Sequence, residues 1–316
     1  MKEPILVVLA AGMGSRFGGL KQMEQFGSNG EVLLHYSVFD ALRGGFKKVV
    51  FIIRHDLEKD FRETILGRLE GKVQYELAFQ ELDSLIPLDI FAEAKKNGRT
   101  KPWGTAHALI CAADRIDAPF AVINADDFYG REGFAAMGKF LSGGEPRPSA
   151  SAEGAGADVK DGAIMPYKLE PTLSLKGTVS RGVCEVRDGY LVSIEELLSI
   201  EKKDGVIFNT GPDGAKQELK PETPVSMNFL GYPDSILPKF RQYFEEFIAA
   251  SGRELKSECY LPKASDSFIK NNYLKMRVLQ ADSEWFGITY KEDKEAAIKR
   301  LAALTAQGIY PEPLWK

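Results

Sequence analysis

The chain begins with a short apolar stretch that runs directly into a glycine-rich segment. Residues 5–10 are continuously apolar, and the segment that follows reads Ala11-Gly12-Met13-Gly14-Ser15-Arg16-Phe17-Gly18-Gly19-Leu20-Lys21. An apolar run of this length, ended by glycines, is typical of a strand buried on both faces within a parallel sheet. The chain must therefore supply elements that cover both faces of such a sheet.

Strand patterns alternate with helix patterns along the rest of the first half. The predicted strands are residues 48–54, 73–80 and 119–124, and the predicted helices are residues 33–42, 56–69 and 105–113. This alternation predicts an α/β fold with a Rossmann-like, doubly wound and mostly parallel sheet.

The second half has a different pattern. Residues 142–161 are rich in small residues and proline and lack a hydrophobic period, which predicts a loop. Short strands separated by turns follow, including a hairpin signal at Arg187-Asp188-Gly189-Tyr190, so this part should be more antiparallel. We expect a core domain over residues 1–240 and a helical extension over residues 241–316 that packs on it.

Composition excludes several classes of protein. The chain has 41 Lys+Arg against 45 Asp+Glu, a net charge of −4, which gives no general attraction to nucleic acid or to an anionic membrane. Its three cysteines are far apart in sequence and lack the short spacings of a zinc site. No signal peptide or membrane span is recognisable, so we expect a cytoplasmic protein.

The glycine-rich segment has the properties of a phosphate-binding loop. It follows the first strand, at the carboxyl edge where open α/β sheets bind ligands. Its small residues let backbone N–H groups approach phosphate oxygens, and Arg16 and Lys21 add positive charge. The glycine spacing fits neither a P-loop nor a dinucleotide fingerprint. The alternative is a glycine-rich turn with two solvated basic side chains.

Residues 9–16 and Lys21 match the opening motif of the nucleoside-triphosphate transferase superfamily, Leu-Ala-Ala-Gly-x-Gly-Ser/Thr-Arg followed by a lysine, and the chain resembles that family. The resemblance implies a sugar-1-phosphate nucleotidyltransferase with an antiparallel sugar-side portion. It implies that Arg16 and Lys21 contact the phosphates as catalytic residues, and that the nucleotide is bound by Leu9, Ala10, Ala11, Gly12 and Gly14. Sugar-nucleotide enzymes usually have proline where this chain has Leu20, which leaves the substrate subtype open.

A pair of carboxylates follows the strand at residues 119–124 and should emerge at the same edge of the sheet. Mg²⁺ prefers oxygen ligands, and Asp126 resembles the metal-binding and catalytic aspartate of the family. Asn228, on a later strand, is the candidate for a second ligand. The alternatives are that Asp126 and Asp127 cap the helix beginning near Arg131, and that Asn228 satisfies backbone groups beside a bulge.

Further segments resemble the substrate contacts of the family. Gln80 and the pair Gly104-Thr105 resemble base-recognition elements, although Thr105 as an N-cap and Gln80 as a strand terminus are the alternatives. Gly182 resembles the glycine that faces the sugar. Glu196 resembles the acid that binds sugar hydroxyls, with a solvated helix start as the alternative.

The resemblance implies in-line attack of a sugar 1-phosphate on the α-phosphorus of a nucleoside triphosphate, with Mg²⁺ and release of pyrophosphate. Such a reaction needs alignment and charge neutralisation rather than a protein nucleophile. Three alternatives stay open: a cytidylyltransferase for an alcohol phosphate such as choline phosphate, a glycosyltransferase of the same fold, and a catalytically silent nucleotide-binding regulator. The base, the sugar and the number of subunits are not determined, and a homo-oligomer is compatible with the sequence.

Overall fold

The computed structural model describes residues 2–12, 24–144, 159–174, 177–287 and 293–315. Within these residues the chain forms a mixed α/β fold around one large central sheet. The α/β class is therefore confirmed. Most of the predicted loop at residues 142–161 lies outside the described residues.

The described strands and helices agree with most of the sequence-based elements. The strands are β1 Ile5–Leu9, β2 Lys48–Ile53, β3 Gln74–Phe79, β4 Phe120–Asn124, β5 Asp127–Phe128, β6 Lys160–Lys168, β7 Val179–Arg187, β8 Tyr190–Lys203, β9 Val206–Thr210, β10 Lys216–Leu219, β11 Pro224–Tyr232, β12 Leu274–Val278 and β13 Phe286–Gly287. The helices are α1 Leu33–Arg43, α2 Glu58–Phe61, α3 Gly67–Leu69, α4 Leu88–Lys96, α5 Thr105–Cys111, α6 Arg131–Leu141, α7 Leu237–Ser251, α8 Leu261–Lys270 and α9 Asp293–Ala306.

The central sheet has a parallel part and a mixed part. In the described residues its strand order is β10-β9-β8-β12-β6-β11-β4-β1-β2-β3, and β7 pairs with both β8 and β11. Strands β4, β1, β2 and β3 are mutually parallel. Strand β11 runs antiparallel to β4 and to β6, which begins the mixed part. The expectation of a more antiparallel second half is confirmed for these strands.

Strand β1 shows why the opening apolar run was informative. Leu6 and Val8 belong to one buried cluster, which includes apolar residues of α1 and α6. Ile5 and Val7 belong to another, which includes apolar residues of α5, α7 and α8. Because successive side chains of a strand point to opposite faces, a strand covered on both sides must be apolar at every position.

The C-terminal part contributes to the sheet as well as to helices. Strand β12 lies between β6 and β8, parallel to β6. The predicted boundary at residue 240 stays a prediction, but the chain beyond it contains a strand of the central sheet. The sequence interpretation also did not include α4, α8, β9 and β10.

The described end of the chain packs on the first strand-helix unit. Strand β13 pairs with β5 in a separate two-stranded sheet, and the rings of Phe286 and Phe128 stack with centroids 4.3 Å apart. Tyr310 joins the same apolar cluster, beside Phe26 and Tyr36. This packing places the C-terminal segment beside the turn that carries Asp126 and Asp127. No helix in the described ranges is long and apolar enough to cross a bilayer.

Candidate functional site

A hollow of about 250 Å³ opens at the carboxyl ends of β1 and β4. It brings together seven of the residues that the sequence singled out. These are Leu9, Ala11, Gly12, Gln80, Gly104, Thr105 and Asp126. Gly14, Arg16 and Lys21 lie outside the described residues, so their predicted phosphate contacts stay predictions.

The register of the parallel strands aligns the two segments that lead into the hollow. Leu9 pairs with Asn124 at the ends of β1 and β4. One residue further, the N–H of Ala125 donates to the carbonyl of Leu9 (3.1 Å), and the N–H of Ala10 donates to the carbonyl of Ile52 on β2 (2.8 Å). The glycine-rich segment and the aspartate pair therefore leave the sheet side by side, as expected from their positions after strands.

Gly104 is required by the backbone conformation at the start of α5. Its φ is +99°, and a methyl group added there would lie 2.5 Å from the carbonyl oxygen of Cys259. The neighbouring N–H of Ala106 donates to that same carbonyl (2.9 Å), and the N–H of Cys259 donates to the carbonyl of Trp103 (2.8 Å). The segment around Cys259 is thus fixed against the predicted base-recognition element.

Gln80 is buried and holds this element from the other side. Its Nε2 donates to the carbonyl of Gly104 (3.0 Å) and to Nδ1 of His107 (3.1 Å). Since Nδ1 accepts, Nε2 of His107 carries the proton and donates to the carbonyl of Ser84 (2.7 Å). Burial lowers the pKa of His107 to about 4, so the ring is neutral near pH 7. The predicted contact of Gln80 with a base stays a prediction.

Thr105 does not act as the N-cap of α5, so that alternative is wrong. The N-cap position is occupied by Gly104, and no side-chain cap bond is present there. The Thr105 hydroxyl instead accepts from the N–H of Leu261, the first residue of α8 (2.8 Å). Thr105 therefore joins the starts of two helices at the wall of the hollow.

The two neighbouring aspartates have different environments. Asp127 is buried, and its Oδ2 accepts from Nδ2 of Asn124 (2.8 Å) and from the hydroxyl of Tyr129 (3.3 Å). Asp126 is partly exposed and lines the hollow. The alternative in which they cap α6 is wrong, because Gly130 is the N-cap residue and makes no side-chain cap bond.

Asn228 lies where the register of β11 shifts, with a φ of +62° that few residues other than glycine tolerate. Its Nδ2 donates to Oδ1 of Asn124 (3.1 Å), so its amide nitrogen binds a side chain rather than a backbone group. Nδ2 of Asn124 donates a hydrogen bond to the carboxylate of Asp127, so Oδ1 of Asn124 is the atom that faces Asn228. These two bonds fix the orientation of both side-chain amides. The amide oxygen of Asn228 is consequently directed away from Asn124.

The predicted sugar-side residues form a second group beside the hollow. Gly182 on β7 pairs with Glu196 on β8 and with Ser226 on β11. A methyl group added at Gly182 would lie 3.4 Å from Oε2 of Glu196 and 3.3 Å from Cβ of Ser226. The hydroxyl of Ser226 accepts from the N–H of Asn228 (3.3 Å), which connects this group to Asn124 and the hollow.

Glu196 lies in the middle of β8, so the alternative of a solvated helix start is wrong. Desolvation by its surroundings raises the pKa of the carboxyl group, and the positive charge of Arg181 opposes this rise. The side chain of Glu196 is exposed at the surface of β8, with its Oε2 close to Gly182.

Several residues of the site carried no recognised sequence signal. Lys101 and Glu258 line the hollow, with Nζ and Oε1 3.8 Å apart. Behind them Arg99 stacks on Trp103, with its guanidinium carbon 3.6 Å from the ring centroid. The same guanidinium donates to the carbonyls of residues 101, 102, 254, 255 and 257. Arg99 thus joins the two segments that carry Lys101 and Glu258.

In the described parts of the chain, no group of three or more His, Cys, Asp or Glu side chains has metal-binding geometry. A site with one or two protein oxygen ligands, completed by substrate phosphates and water, would not form such a group.

Solved structures share this fold. An inositol-1-phosphate CTP transferase from T. maritima aligns with a TM-score of 0.59 and 12% identity over 94% of this chain and 97% of that chain. A Bacillus anthracis protein assigned as a glucose-1-phosphate thymidylyltransferase, in complex with sucrose, aligns with a TM-score of 0.57 and 12% identity over 94% of each chain. A UDP-glucose pyrophosphorylase complexed with UDP-glucose aligns with a TM-score of 0.57 and 15% identity over 96% of this chain and 99% of that chain.

No protein-family model matches the chain, and no curated protein matches it. At identities of 12–15% the likeness to solved structures is a likeness of fold. The mixed α/β fold is that of these nucleotidyltransferases, and it extends over nearly the whole chain. The mixed α/β fold that the resemblance implied is therefore confirmed.

Proposed function

We propose that the chain is a nucleotidyltransferase that joins a sugar 1-phosphate to a nucleoside triphosphate and releases pyrophosphate. The observation that carries the proposal is the hollow at the ends of β1 and β4. There the strand end before the glycine-rich segment, the predicted base-recognition residues and Asp126 line one space. The fold shared with the three solved structures supports the same reaction class.

The donor set fits a magnesium ion. Asp126 would provide a carboxylate oxygen and Asn228 an amide oxygen, and both are the hard ligands that Mg²⁺ prefers. The bonds among Asn124, Asn228 and Asp127 fix the amide so that its oxygen, not its nitrogen, is left for a ligand. A bound Mg²⁺ would supply positive charge to the phosphoryl oxygens.

The proposed reaction needs no nucleophile from the protein, because the attacking sugar phosphate is already ionised near neutral pH. Burial raises the pKa of Cys111, Cys184 and Cys259 to about 12, so these thiols are not thiolates at pH 7. His107 has both ring nitrogens in hydrogen bonds. These residues therefore serve the structure, and catalysis would consist of alignment and charge neutralisation.

Each group of the site has a part in this scheme. Leu9 to Gly12, with Gly14, would bind the nucleotide through backbone groups, and Arg16 and Lys21 would neutralise the phosphates. Gln80, Gly104 and Thr105 would frame the base. Gly182 and Glu196 would face the sugar. The hydrogen bonds from Asn228 to Ser226 and to Asn124 connect this pair to the hollow.

Finer assignments belong to the same proposal. We take the parallel strands with helices on both faces as a Rossmann-like, doubly wound unit. We also propose a cytoplasmic enzyme that requires Mg²⁺, acts on small molecules rather than nucleic acid, and is compatible with a homo-oligomer. The division into a core of residues 1–240 and a C-terminal part of residues 241–316 remains part of this proposal.

Pyrophosphate release tests the function directly. The purified chain would be assayed with ATP, CTP, GTP, UTP and dTTP, each combined with a panel of sugar 1-phosphates or with choline phosphate, with Mg²⁺ and again with excess chelator. We expect release that needs a sugar 1-phosphate and stops with the chelator. Release only with choline phosphate would replace the acceptor class, and triphosphate binding without any release would support a silent regulator instead.

A further inference from the structure

We infer that His107 is a positioning residue in nucleotide recognition. It fixes the side-chain amide of Gln80 with the oxygen toward the hollow, so that a nucleobase is selected through an N–H group on its edge. The inference rests on the proposed function and deepens it by assigning the polarity of the contact with the base. His107 is fully buried and does not line the hollow, so it acts through Gln80.

Two backbone carbonyls decide which way the amide of Gln80 points. A carbonyl oxygen can only accept, so the atom of Gln80 that lies 3.0 Å from the carbonyl of Gly104 is the amide nitrogen. For the same reason Nε2 of His107, 2.7 Å from the carbonyl of Ser84, carries a proton. The neutral ring then accepts at Nδ1, which lies 3.1 Å from the same nitrogen of Gln80. Both N–H bonds of the amide are therefore used.

The imidazole that accepts from Gln80 is held in place and stays neutral. Its ring stacks on Phe244, with centroids 4.8 Å apart and planes 14° apart. Burial lowers the pKa of His107 to about 4. If the amide of Gln80 turned over, its oxygen would face two other acceptors, Nδ1 of His107 and the carbonyl of Gly104. Each of these would then lose its donor, which opposes the rotation.

The amide oxygen of Gln80 is left for a ligand. Gln80 is 4% exposed and lines the hollow. Within the described ranges Oε1 makes no hydrogen bond, yet it is not one of the fully buried side-chain atoms that lack a partner there, so it is reached from the hollow.

A mostly buried acceptor favours a base that places an N–H group against it. A base that places a carbonyl oxygen or an unprotonated ring nitrogen there would leave two acceptors facing each other without a donor. The fixed amide therefore discriminates among bases by where the N–H group lies on their edge. An amide free to rotate could satisfy either kind of edge and would discriminate less.

Replacing His107 tests this lock, and His35 provides a matched control. His107→Phe keeps an aromatic ring but removes the acceptor that Gln80 uses. His35 is also fully buried, and burial lowers its pKa to about 4 as well. It accepts from a backbone N–H at Nδ1 (3.0 Å) and donates to a backbone carbonyl at Nε2 (3.1 Å), and neither partner lines the hollow. His35→Phe thus removes the same kind of bonds elsewhere.

The readout is the dissociation constant of each of ATP, CTP, GTP, UTP and dTTP, measured by calorimetry with Mg²⁺ and without acceptor. Selectivity is the ratio between the second-best and the best triphosphate. We expect His107→Phe to lower this ratio about tenfold, the effect of one misplaced hydrogen bond, and His35→Phe to leave it unchanged. Gln80→Met removes the acceptor and should lower the ratio as much, and the double variant should lower it no further.

A measurement on the unchanged chain does not depend on whether any variant folds. Long-range ¹H–¹⁵N NMR spectra between pH 6 and pH 8 should show His107 neutral and protonated at Nε2. The signal is assigned by its loss in His107→Phe or, if that variant does not fold, in a chain with another residue at this position. A charged ring, or a ring protonated at Nδ1, would overturn the inference.

The outcomes separate this inference from the proposed function. If triphosphates bind but no acceptor gives pyrophosphate, the proposed function is wrong, and the binding ratios still test the lock. If pyrophosphate is released but His107→Phe keeps the selectivity of the unchanged chain, the function stands and the lock is wrong. Equal losses of selectivity in His107→Phe and His35→Phe, or equal binding of all five triphosphates by the unchanged chain, would also overturn the lock.

Discussion

The proposed nucleotide end and the proposed sugar end of the site are built in different ways. At the nucleotide end, Leu9 and Asn124 pair at the ends of adjacent parallel strands, so the segments that follow emerge together. At the sugar end, Gly182, Glu196 and Ser226 meet across three antiparallel strands. Strand ends can be located from a local sequence pattern, whereas side chains meeting across antiparallel strands depend on register.

The largest effect should separate Asp126 from Asp127. Asp126→Ala removes the carboxylate proposed to hold the metal, and we expect kcat to fall by about 10²–10⁴ with little change in stability. Asp127→Ala removes an acceptor used by Asn124 and Tyr129, and we expect it to lower the free energy of unfolding by about 1–3 kcal/mol. Pyrophosphate release and urea unfolding of both variants give the comparison.

Circular dichroism of the two variants at 25 °C serves as the control for folding. Equal losses of activity in two equally stable variants would contradict the division of roles between the aspartates. So would an Asp126→Ala chain with unchanged kcat.

The pH dependence of stability should distinguish the two ends. Burial lowers the pKa of His107 from 6.5 to about 4, so the unfolded chain binds this proton more tightly than the folded chain. The stability due to the neutral ring is complete above pH 6.5 and is lost as the pH falls toward 4, by up to about 3 kcal/mol. Glu196 at the sugar end acts in the opposite sense, because its pKa is raised and its contribution is lost as the pH rises.

The contribution of His107 is measured by comparing urea unfolding at pH 7 and pH 4.5 in chains with and without this residue, because His35, whose pKa burial also lowers to about 4, titrates in both. A His107→Phe variant should be less stable at pH 7, since it loses the bonds to Gln80 and Ser84, but its stability should change less between the two pH values. Equal changes with pH in the two chains would show that His107 does not titrate as its burial requires.

A smaller effect is expected from adding one methyl group at each end. Gly104→Ala places Cβ 2.5 Å from a backbone oxygen at a φ of +99°, so it should cost about 1–3 kcal/mol and raise KM for the triphosphate. Gly182→Ala places Cβ 2.9 Å from Cγ2 of Ile194, a buried and branched side chain with little rotamer freedom, and 3.4 Å from Oε2 of Glu196, so it should cost about 1–3 kcal/mol as an overpacked position. Its effect on activity should be a higher KM for the sugar phosphate.

Initial rates measured while one substrate is varied at saturating levels of the other give the two KM values separately. An increase in the same KM for both variants would contradict the separation into two ends.

Features marked by local patterns could be predicted from the sequence. The opening apolar run predicted β1. The segment Arg187-Asp188-Gly189-Tyr190 predicted the turn between β7 and β8, where Asp188 and Gly189 both have positive φ. The sequence also placed Asp126 and Gly104 at the edge of the sheet where the hollow lies. Each of these residues follows a strand or begins a helix.

Features that depend on tertiary packing could not be predicted in this way. Helix α8 has only ten residues and begins with Leu261-Pro262, and its start is satisfied by Thr105, which is far away in sequence. Strand β12 is only five residues long, with polar residues at alternate positions. Glu258 lines the hollow because Cys259 pairs with residues 103–106, and no local pattern encodes that contact.

The position of β12 affects the order in which the molecule can assemble during synthesis. Its partners β6 and β8 are synthesised at least 71 residues earlier. The strand position between them in the sheet stays unfilled until residues 274–278 have been synthesised. Unpaired strand edges of this kind can form non-native pairings with other strands before β12 is available. A nascent chain that stalls before residue 274 would therefore expose two unpaired strand edges at which it can aggregate. The complete sheet also depends on contacts between residues far apart in sequence, and such contacts slow folding.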